Sequence, residues 1–395
     1  MTPGARIQAA IELLDDIIAA ARTGGAAADT LVARYFATRR YAGSKDRRAV
    51  RALVYAAVRR AGEVPASGRA AMLGLADEDA TVAAEFDGSP HGPAPITADE
   101  PCAPAGIAPA WLEAVLDRSQ VPRAGWPALV ARAPLDLRVN TLRVTVAEAR
   151  AALPDAEPVP GVPDALRLPT GSAIERHPLF LDGGVEVQDA GSQMIAFAAG
   201  AEPGMTVVDL CAGAGGKTLA LAAAMGGLGQ GGGALIACDI DRARLSRLAP
   251  RAARAGAEGI VTRLLDPGRE LEALADLVGQ ADVVLVDAPC SGTGTWRRNP
   301  EARWRLTPDR LARLVASQAH VLRVARALVR PGGSLVYAVC SVLDDEGAQQ
   351  VAPLIAEGWL PEPLPVGTPR GAGVRLIPAE HGTDGFFLAR LRRPC

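Results

Sequence analysis

Residues 205–224 read MTVVDLCAGAGGKTLALAAA. An apolar run, Met205–Leu210, passes straight into a loop with glycines at 213, 215 and 216, and the loop into a helix-like stretch that opens at Lys217. Glycines let a backbone approach a ligand closely, and the first turn of a helix presents N–H groups that lack intrahelical partners. Such a loop is weak evidence by itself, because any tight strand-to-helix turn needs glycines for steric reasons. Its neighbours give it weight.

On both sides of this stretch short apolar runs alternate with helical patterns. MTVVDL, ALIACD, GIVTRLL, ADVVLVDA and GSLVYAVC read as strands, separated by helix-like stretches such as DRLARLVASQAHVLRVARALV. Buried strands alternating with helices imply an α/β, Rossmann-like, doubly wound parallel sheet. The tail VRLIPAEHGTDGFFLARLRR adds two strand-like runs that suit a closing antiparallel pair. In an open sheet of this kind ligands bind beyond the carboxyl ends of the strands, near the point where the strand order reverses. Asp239, Asp266 and Asp287 end the second, third and fourth strands beside the glycine loop. Three carboxylates there are hard to explain as packing, since unpaired buried acids are costly. Asp239 is placed to accept hydrogen bonds from ribose hydroxyls, and no pyrophosphate pattern is evident. Adenosine with a non-phosphate tail fits, and S-adenosylmethionine is such a ligand. The cofactor-contact candidates are Cys211, Ala212, Gly213, Ala214, Gly215, Gly216, Lys217, Asp239, Asp266 and Asp287.

The chain of 395 residues has six cysteines and four histidines. No C-x-x-C pair occurs, so a structural zinc site is not expected and the metal assignment is none. There is no cleavage signature at the N-terminus and no run of about 18 uncharged apolar residues, so a cytoplasmic protein with reduced thiols is expected. Cys290 follows the fourth strand and Cys340 ends the fifth, so both should face the cofactor's mouth. Burial as small residues accounts for Cys211 and Cys238, and Cys102 and Cys395 need no role.

The net charge of −2 gives no global nucleic-acid signal, so any such partner has to be met locally. ARIQAAIELLDDIIAAA and DRRAVRALVYAAVRRAG have the spacing of amphipathic helices. Arg47, Arg48, Arg51, Arg59 and Arg60 form either a solvated helix face or a phosphate-binding one. The expected domains are a helical unit at 1–76, an acidic Pro/Gly-rich linker at 77–104, a small α+β segment at 105–190 and the α/β domain at 191–395.

Several stretches together carry a family resemblance. DLCAGAGGKT, DIDRARLSRL, VDAPCSGTGTWRRNPEARWRL, LVYAVCSVLDDEG and DGFFLARL closely resemble the Fmu/Sun (RsmB-type) RNA cytosine-5 methyltransferases. LRVNTLR and VEVQDAGSQM look like that family's RNA-binding segment, and the N-terminal helices are similar to its NusB-like RNA-binding domain. Two positions depart from the pattern. Gly213 and Ala214 stand where the cofactor loop usually has alanine and proline, and Val339 stands where threonine usually precedes the nucleophile.

The resemblance implies 5-methylcytosine formation in RNA, with ribosomal RNA, free or in an assembling subunit, as the partner. It assigns Cys340 to attack on C6, which turns the ring into an enamine able to accept the methyl group at C5. It gives Cys290 the task of assisting release. Asp287 would support N3 and the exocyclic amine, holding or sharing a proton as a buried strand-end carboxyl can, with Lys217 beside it. A thiolate close to a sulfonium and to Lys217 should have a lowered pKa. In TWRRNPEARWRL, Trp296 and Trp304 alternate with Arg297, Arg298, Arg303 and Arg305, which suits a splayed RNA strand or, alternatively, core tryptophans under a surface loop. Arg138 and Asn140 are further RNA candidates. A monomer with no membrane or metal partner is expected. The rival readings are a catalytically quiet RNA-binding or ribosome-assembly factor, and a small-molecule methyltransferase or dinucleotide enzyme. Neither of the latter pair needs two cysteines at one rim.

Overall fold

The computed structural model describes residues 1–228 and 233–395. They form two compact units, Met1–Ala131 with Thr295–Pro308, and Arg132–Gly294 with Asp309–Cys395.

The first unit is helical. Its longest helix, Pro3–Thr23, starts where Thr2 Oγ1 accepts the Ala5 N–H and stops at Gly24, whose φ is +75°. Ile7, Ile11, Leu14 and Ile18 recur at three- and four-residue steps. That stripe packs with Val50, Val54 and Val58 of helix Ser44–Arg60 and Met72 of helix Gly68–Glu78. Arg47, Arg51, Arg59 and Arg60 each find a partner inside this unit, respectively the Ala42 carbonyl, Asp29, the Tyr55 carbonyl and Glu78.

Residues 77–104 are not a free linker. Val82, Phe86 and Ala103 are buried in the helical core, and Arg69 pairs with Glu100 while donating to the Ala94 and Pro95 carbonyls. Two of the acids in this stretch, Glu78 and Glu100, are ion-paired with Arg60 and Arg69 of the helices. The unit also extends to Ala131, well past the expected end of the helical unit at 76.

Thr295–Pro308 belongs to this helical unit although it follows Cys290 in sequence. Trp304 joins the core, and its Nε1 donates to the Ala61 carbonyl at 3.0 Å. Arg303 is fully buried and donates to the carbonyls of Pro300, Val58, Arg59 and Ala61 at 2.6–3.1 Å. Three of these lie at the end of helix Ser44–Arg60, where carbonyls have no intrahelical donor, so the guanidinium caps the helix. Glu301 Oε1 accepts the Ala28 N–H at the opposite kind of end, the start of helix Ala28–Thr38. Trp296 and Arg297 are buried as well. Most of the arginines and tryptophans read as an RNA platform are therefore interior groups.

The second unit holds two sheets. The smaller is antiparallel, with β1 (Leu135–Val139), β2 (Glu157–Pro158), β3 (Ala165–Leu168) and β4 (Val185–Val187) in the order β2-β3-β1-β4. The larger contains β5 (Thr206–Asp209), β6 (Ala234–Asp239), β7 (Val261–Leu264), β8 (Ala281–Asp287), β9 (Val329–Val339), β10 (Leu360–Glu362), β11 (Thr368–Arg370), β12 (Gly373–Leu376) and β13 (Phe386–Arg392). Its order is β11-β12-β13-β9-β8-β5-β6-β7, with β10 on β13. β5 pairs in parallel with both β6 and β8, so strand order reverses at β5 and the loop after it is the switch point. β13 closes the far side antiparallel to β9 and β12.

Side-chain alternation explains the near-continuous apolar strands. Val207, Leu235, Val283, Leu285 and Val336 face one core with helices Ala190–Ala198 and Gly216–Ala224. Val208, Ile236, Val284, Val286 and Tyr337 face another with helices Pro308–Leu328 and Ala348–Ala356. A sheet covered on both faces buries both sides of every strand.

Candidate active site

The loop Leu210–Gly215 leads from β5 into helix Gly216–Ala224. Gly215 has φ +86°, and a Cβ there would overlap Leu248, so glycine is required for conformation and for space. Gly213 N–H donates to Asp239 Oδ2 at 2.7 Å, and Asp241 N–H donates to Asp239 Oδ1 at 2.7 Å. Asp239 thus holds the glycine loop against the end of β6.

Beside this loop is a cavity of about 170 Å³, lined by Gln188, Ser192, Asp209, Cys211, Ala212, Ala214, Gly216, Lys217, Arg244 and Asp287. Most of the expected contact residues meet here. Asp266 is exposed, on the β7 side. The sequence reading missed Gln188, Ser192, Asp209 and Arg244. Asp209 was within reach of it, as the residue that ends the first strand.

Burial pushes the Asp209 carboxyl up to about 7, against the Thr218 hydroxyl that donates to Oδ2 at 2.7 Å. Its other oxygen, Oδ1, is buried without a hydrogen-bond partner. Lys217 Nζ donates to Asp287 Oδ2 at 2.7 Å. Burial works against the ammonium, but the charge and hydrogen bond of Asp287 outweigh it and raise the Lys217 pKa. Asp287 is not the deeply buried carboxyl that the sequence suggested. Its side chain is 32% exposed and ion-paired with Lys217.

Cys290 Sγ and Cys340 Sγ lie 3.1 Å apart, within hydrogen-bond reach. The hydrogen bond with Cys340 and then burial raise the Cys290 thiol well above its ordinary value. Either sulfur can be the donor of this hydrogen bond.

A buried network supports the pair. Glu346 is fully buried; its Oε1 accepts from the Ser291 N–H at 2.8 Å and Gln318 Nε2 at 3.0 Å, and Oε2 accepts from Ser291 Oγ. Thr293 Oγ1 and Ser341 Oγ share a hydrogen bond of 2.9 Å, joining the two cysteine loops. Gly294 N–H donates to the Cys340 carbonyl, and a Cβ on Gly294 would overlap the Gly385 backbone. The run DDEG does not show which of its acids is buried, and Gln318 lies on a remote helix. Val339 faces the sheet core opposite the one Cys340 borders, so a hydroxyl at 339 would not lie beside the sulfur.

Arg138 and Asn140, read as RNA candidates, are buried. Arg138 Nε donates to Gln188 Oε1, and Asn140 Nδ2 donates to the Gly183 and Ala255 carbonyls, each at 2.8 Å. Cys238 is buried in the sheet core, its thiol pushed up to about 12 by burial.

Residues 197–392 match the family model described as 16S rRNA methyltransferase RsmB/F. Through this segment the chain belongs to the Fmu/Sun methyltransferases. The ribosomal RNA small subunit methyltransferase B of Pasteurella multocida is 33% identical over 299 residues, 72% of this chain and 65% of that protein. The chain spans 60–65% of the length of such relatives. A methyltransferase homolog protein from Pyrococcus horikoshii is 26% identical with a TM-score of 0.61, over 73% of this chain and 100% of that one. The crystal structure of PH0851, at 22% identity, shares the fold with a TM-score of 0.75 over 100% of this chain and 99% of that one. The Fmu/Sun segment contains the glycine loop, Lys217, Asp239, Asp287 and both rim cysteines.

Proposed function

We propose that this protein is an S-adenosylmethionine-dependent RNA (cytosine-5)-methyltransferase acting on ribosomal RNA in the cytoplasm. The observation that carries the reading is the Cys290–Cys340 sulfur pair, 3.1 Å apart, in the unit that also holds the Lys217–Asp287 ion pair and the glycine-loop cavity.

The cavity suits the cofactor's chemistry. Asp209 Oδ1 is a buried acceptor with no donor, and a ligand ammonium would satisfy it. The Gly216–Lys217 helix start lines the cavity and offers N–H groups to a carboxylate. Asp239 does not line the cavity; its carboxylate, which already accepts the Gly213 and Asp241 N–H groups, is assigned to the ribose hydroxyls from the neighbouring strand end. At about 170 Å³ the cavity takes only part of such a molecule, the rest lying toward the open strand ends. When bound, the cofactor supplies an electrophilic methyl group.

The chain's own groups supply the remainder. Cys340, its thiol proton released to solvent, adds through sulfur to C6 of cytosine, and the displaced electron pair makes C5 a nucleophile. Asp287 accepts from the exocyclic amine, while the Lys217 ammonium is the proton source at the ring edge. After methylation solvent water takes the C5 proton, the C5–H electron pair re-forms the C5=C6 bond, the S–C6 bond breaks with its electrons returning to Cys340, and the ring proton goes back to Lys217. Cys290, protonated, donates a hydrogen bond to that departing sulfur. RNA binding by the helical unit and by the small sheet is part of this proposal.

Bisulfite sequencing of ribosomal RNA incubated with the protein and S-adenosylmethionine tests it. New 5-methylcytosine that depends on Cys340 supports the reading. Binding of the RNA without methyl transfer supports the quiet assembly factor instead.

A further inference from the structure

The cofactor loop lacks its usual stiffener. A proline fixes φ near −65° and narrows the unfolded ensemble, whereas Gly213-Ala214 does neither. Yet the loop is held from both sides. Asp239 takes the Gly213 N–H, and Arg251 Nη1 donates to the Ala214 carbonyl at 2.6 Å. The same guanidinium donates through Nη2 to Glu186 Oε2 at 2.9 Å. Glu186, on β4, has a side chain only 5% exposed and also pairs with Arg254. Arg251 does not line the cavity; it reaches the loop from helix Leu248–Ala255, whose Leu248 lies against Gly215. A planar fork with two separate acceptors fixes its own orientation as well as theirs.

We propose that Arg251, anchored by Glu186, is a positioning residue that braces the Ala214 carbonyl and so holds the cofactor loop in its binding shape, replacing the rigidity of the absent proline. This rests on the methyltransferase reading above. It ties the loop to a strand of the small sheet, a connection that the glycine motif does not reveal.

The test compares full-length parent, Arg251→Met, Arg251→Lys, Ala214→Pro and the double variant Arg251→Met/Ala214→Pro. Calorimetry with S-adenosylmethionine reads the affinity, and amide hydrogen exchange without ligand reads the loop at 213–216. Arg251→Met should bind about tenfold more weakly, the size expected for losing one charge-assisted hydrogen bond, and should exchange faster in the loop. Ala214→Pro alone is the reference for the double variant, which should recover both readings relative to Arg251→Met. A general packing loss would not be rescued by a backbone constraint at another residue. Should Arg251→Met not fold, Arg251→Lys keeps a charge beside Glu186 without a two-pronged fork and should show the same direction. Parent-like affinity and exchange in the Arg251 variants, or a double variant no better than Arg251→Met, overturns the brace. If the parent itself does not bind S-adenosylmethionine, the functional reading fails, and loop exchange still decides the brace.

Discussion

Lys217 Nζ reaches Asp287 Oδ2 at 2.7 Å, joining the start of the helix after β5 to the end of β8 across the switch point. The pair turns two isolated sequence positions, 70 residues apart, into one acid–base unit. Lys217→Met leaves Asp287 with a charge and no counter-ion. It also removes the proton source proposed for the cytosine ring. Methyl transfer should fall by about 10²–10⁴-fold, the range of general acid–base contributions. Because Asp287 is 32% exposed, the stability loss should stay near 1 kcal/mol. Radiolabelled methyl transfer and thermal unfolding measure the two. Unchanged turnover would remove the ion pair from the chemistry.

Asp209 makes a pH signature. Its pKa is raised from 3.8 to about 7 in the fold, chiefly by burial. The sign follows from linkage: a carboxyl raised on folding contributes stability that is fully present below its unfolded pKa and is lost as pH climbs to the folded one. Asp209→Asn cannot ionise and can still accept from Thr218 through its amide oxygen. The ligand-free variant should match the parent near pH 4 and become more stable than it between pH 4 and 7. The gap should plateau above pH 7 at about 2–4 kcal/mol. Parallel melting-temperature profiles across that window would refute the buried acid.

Arg303 is a structural cap, although its sequence context looks like an RNA contact. Removing it in Arg303→Ala leaves the Val58 and Arg59 carbonyls without their donor at a buried helix end, while the Ala61 carbonyl keeps Trp304 Nε1. Chemical denaturation should show a loss of about 3–5 kcal/mol. Arg303→Lys should recover only part of it, since one ammonium cannot span the same acceptors. A near-neutral Arg303→Ala would show that the cap is dispensable.

These residues also mark where the sequence was legible. The five parallel strands, the glycine loop and the reversal at β5 follow from local signals: apolar runs of strand length, glycine punctuation and helical periodicity. The meeting of Cys290 and Cys340 follows because both sit at ends of adjacent strands in that scheme. What failed depends on long-range docking. Arg303 and Trp304 have the same local pattern whether they face RNA or a helix end, and only tertiary contact with Val58–Ala61 decides. Arg138 and Asn140 misled for the same reason, since their polar ends are used inside the unit. Glu346 was hidden because neighbouring acids in DDEG are indistinguishable until the Ser291 and Gln318 donors are placed around one of them.

The two sulfurs, 3.1 Å apart, invite an experiment that separates them. The raised Cys290 thiol suits support of a leaving sulfur better than attack on a ring. Cys340→Ala should therefore abolish methyl transfer while leaving S-adenosylmethionine binding intact. Cys290→Ala should still attack C6 and accept the methyl group, but lose the hydrogen bond that helps Cys340 depart. That variant should accumulate a protein–RNA adduct that survives denaturing electrophoresis, because the link is a carbon–sulfur bond and not a salt-sensitive contact. The double variant should give no band, since without Cys340 no bond to C6 forms. An adduct in Cys340→Ala that vanishes in Cys290→Ala would exchange the two roles. Its absence from every variant, on an RNA that the parent methylates, would count against release assisted by Cys290.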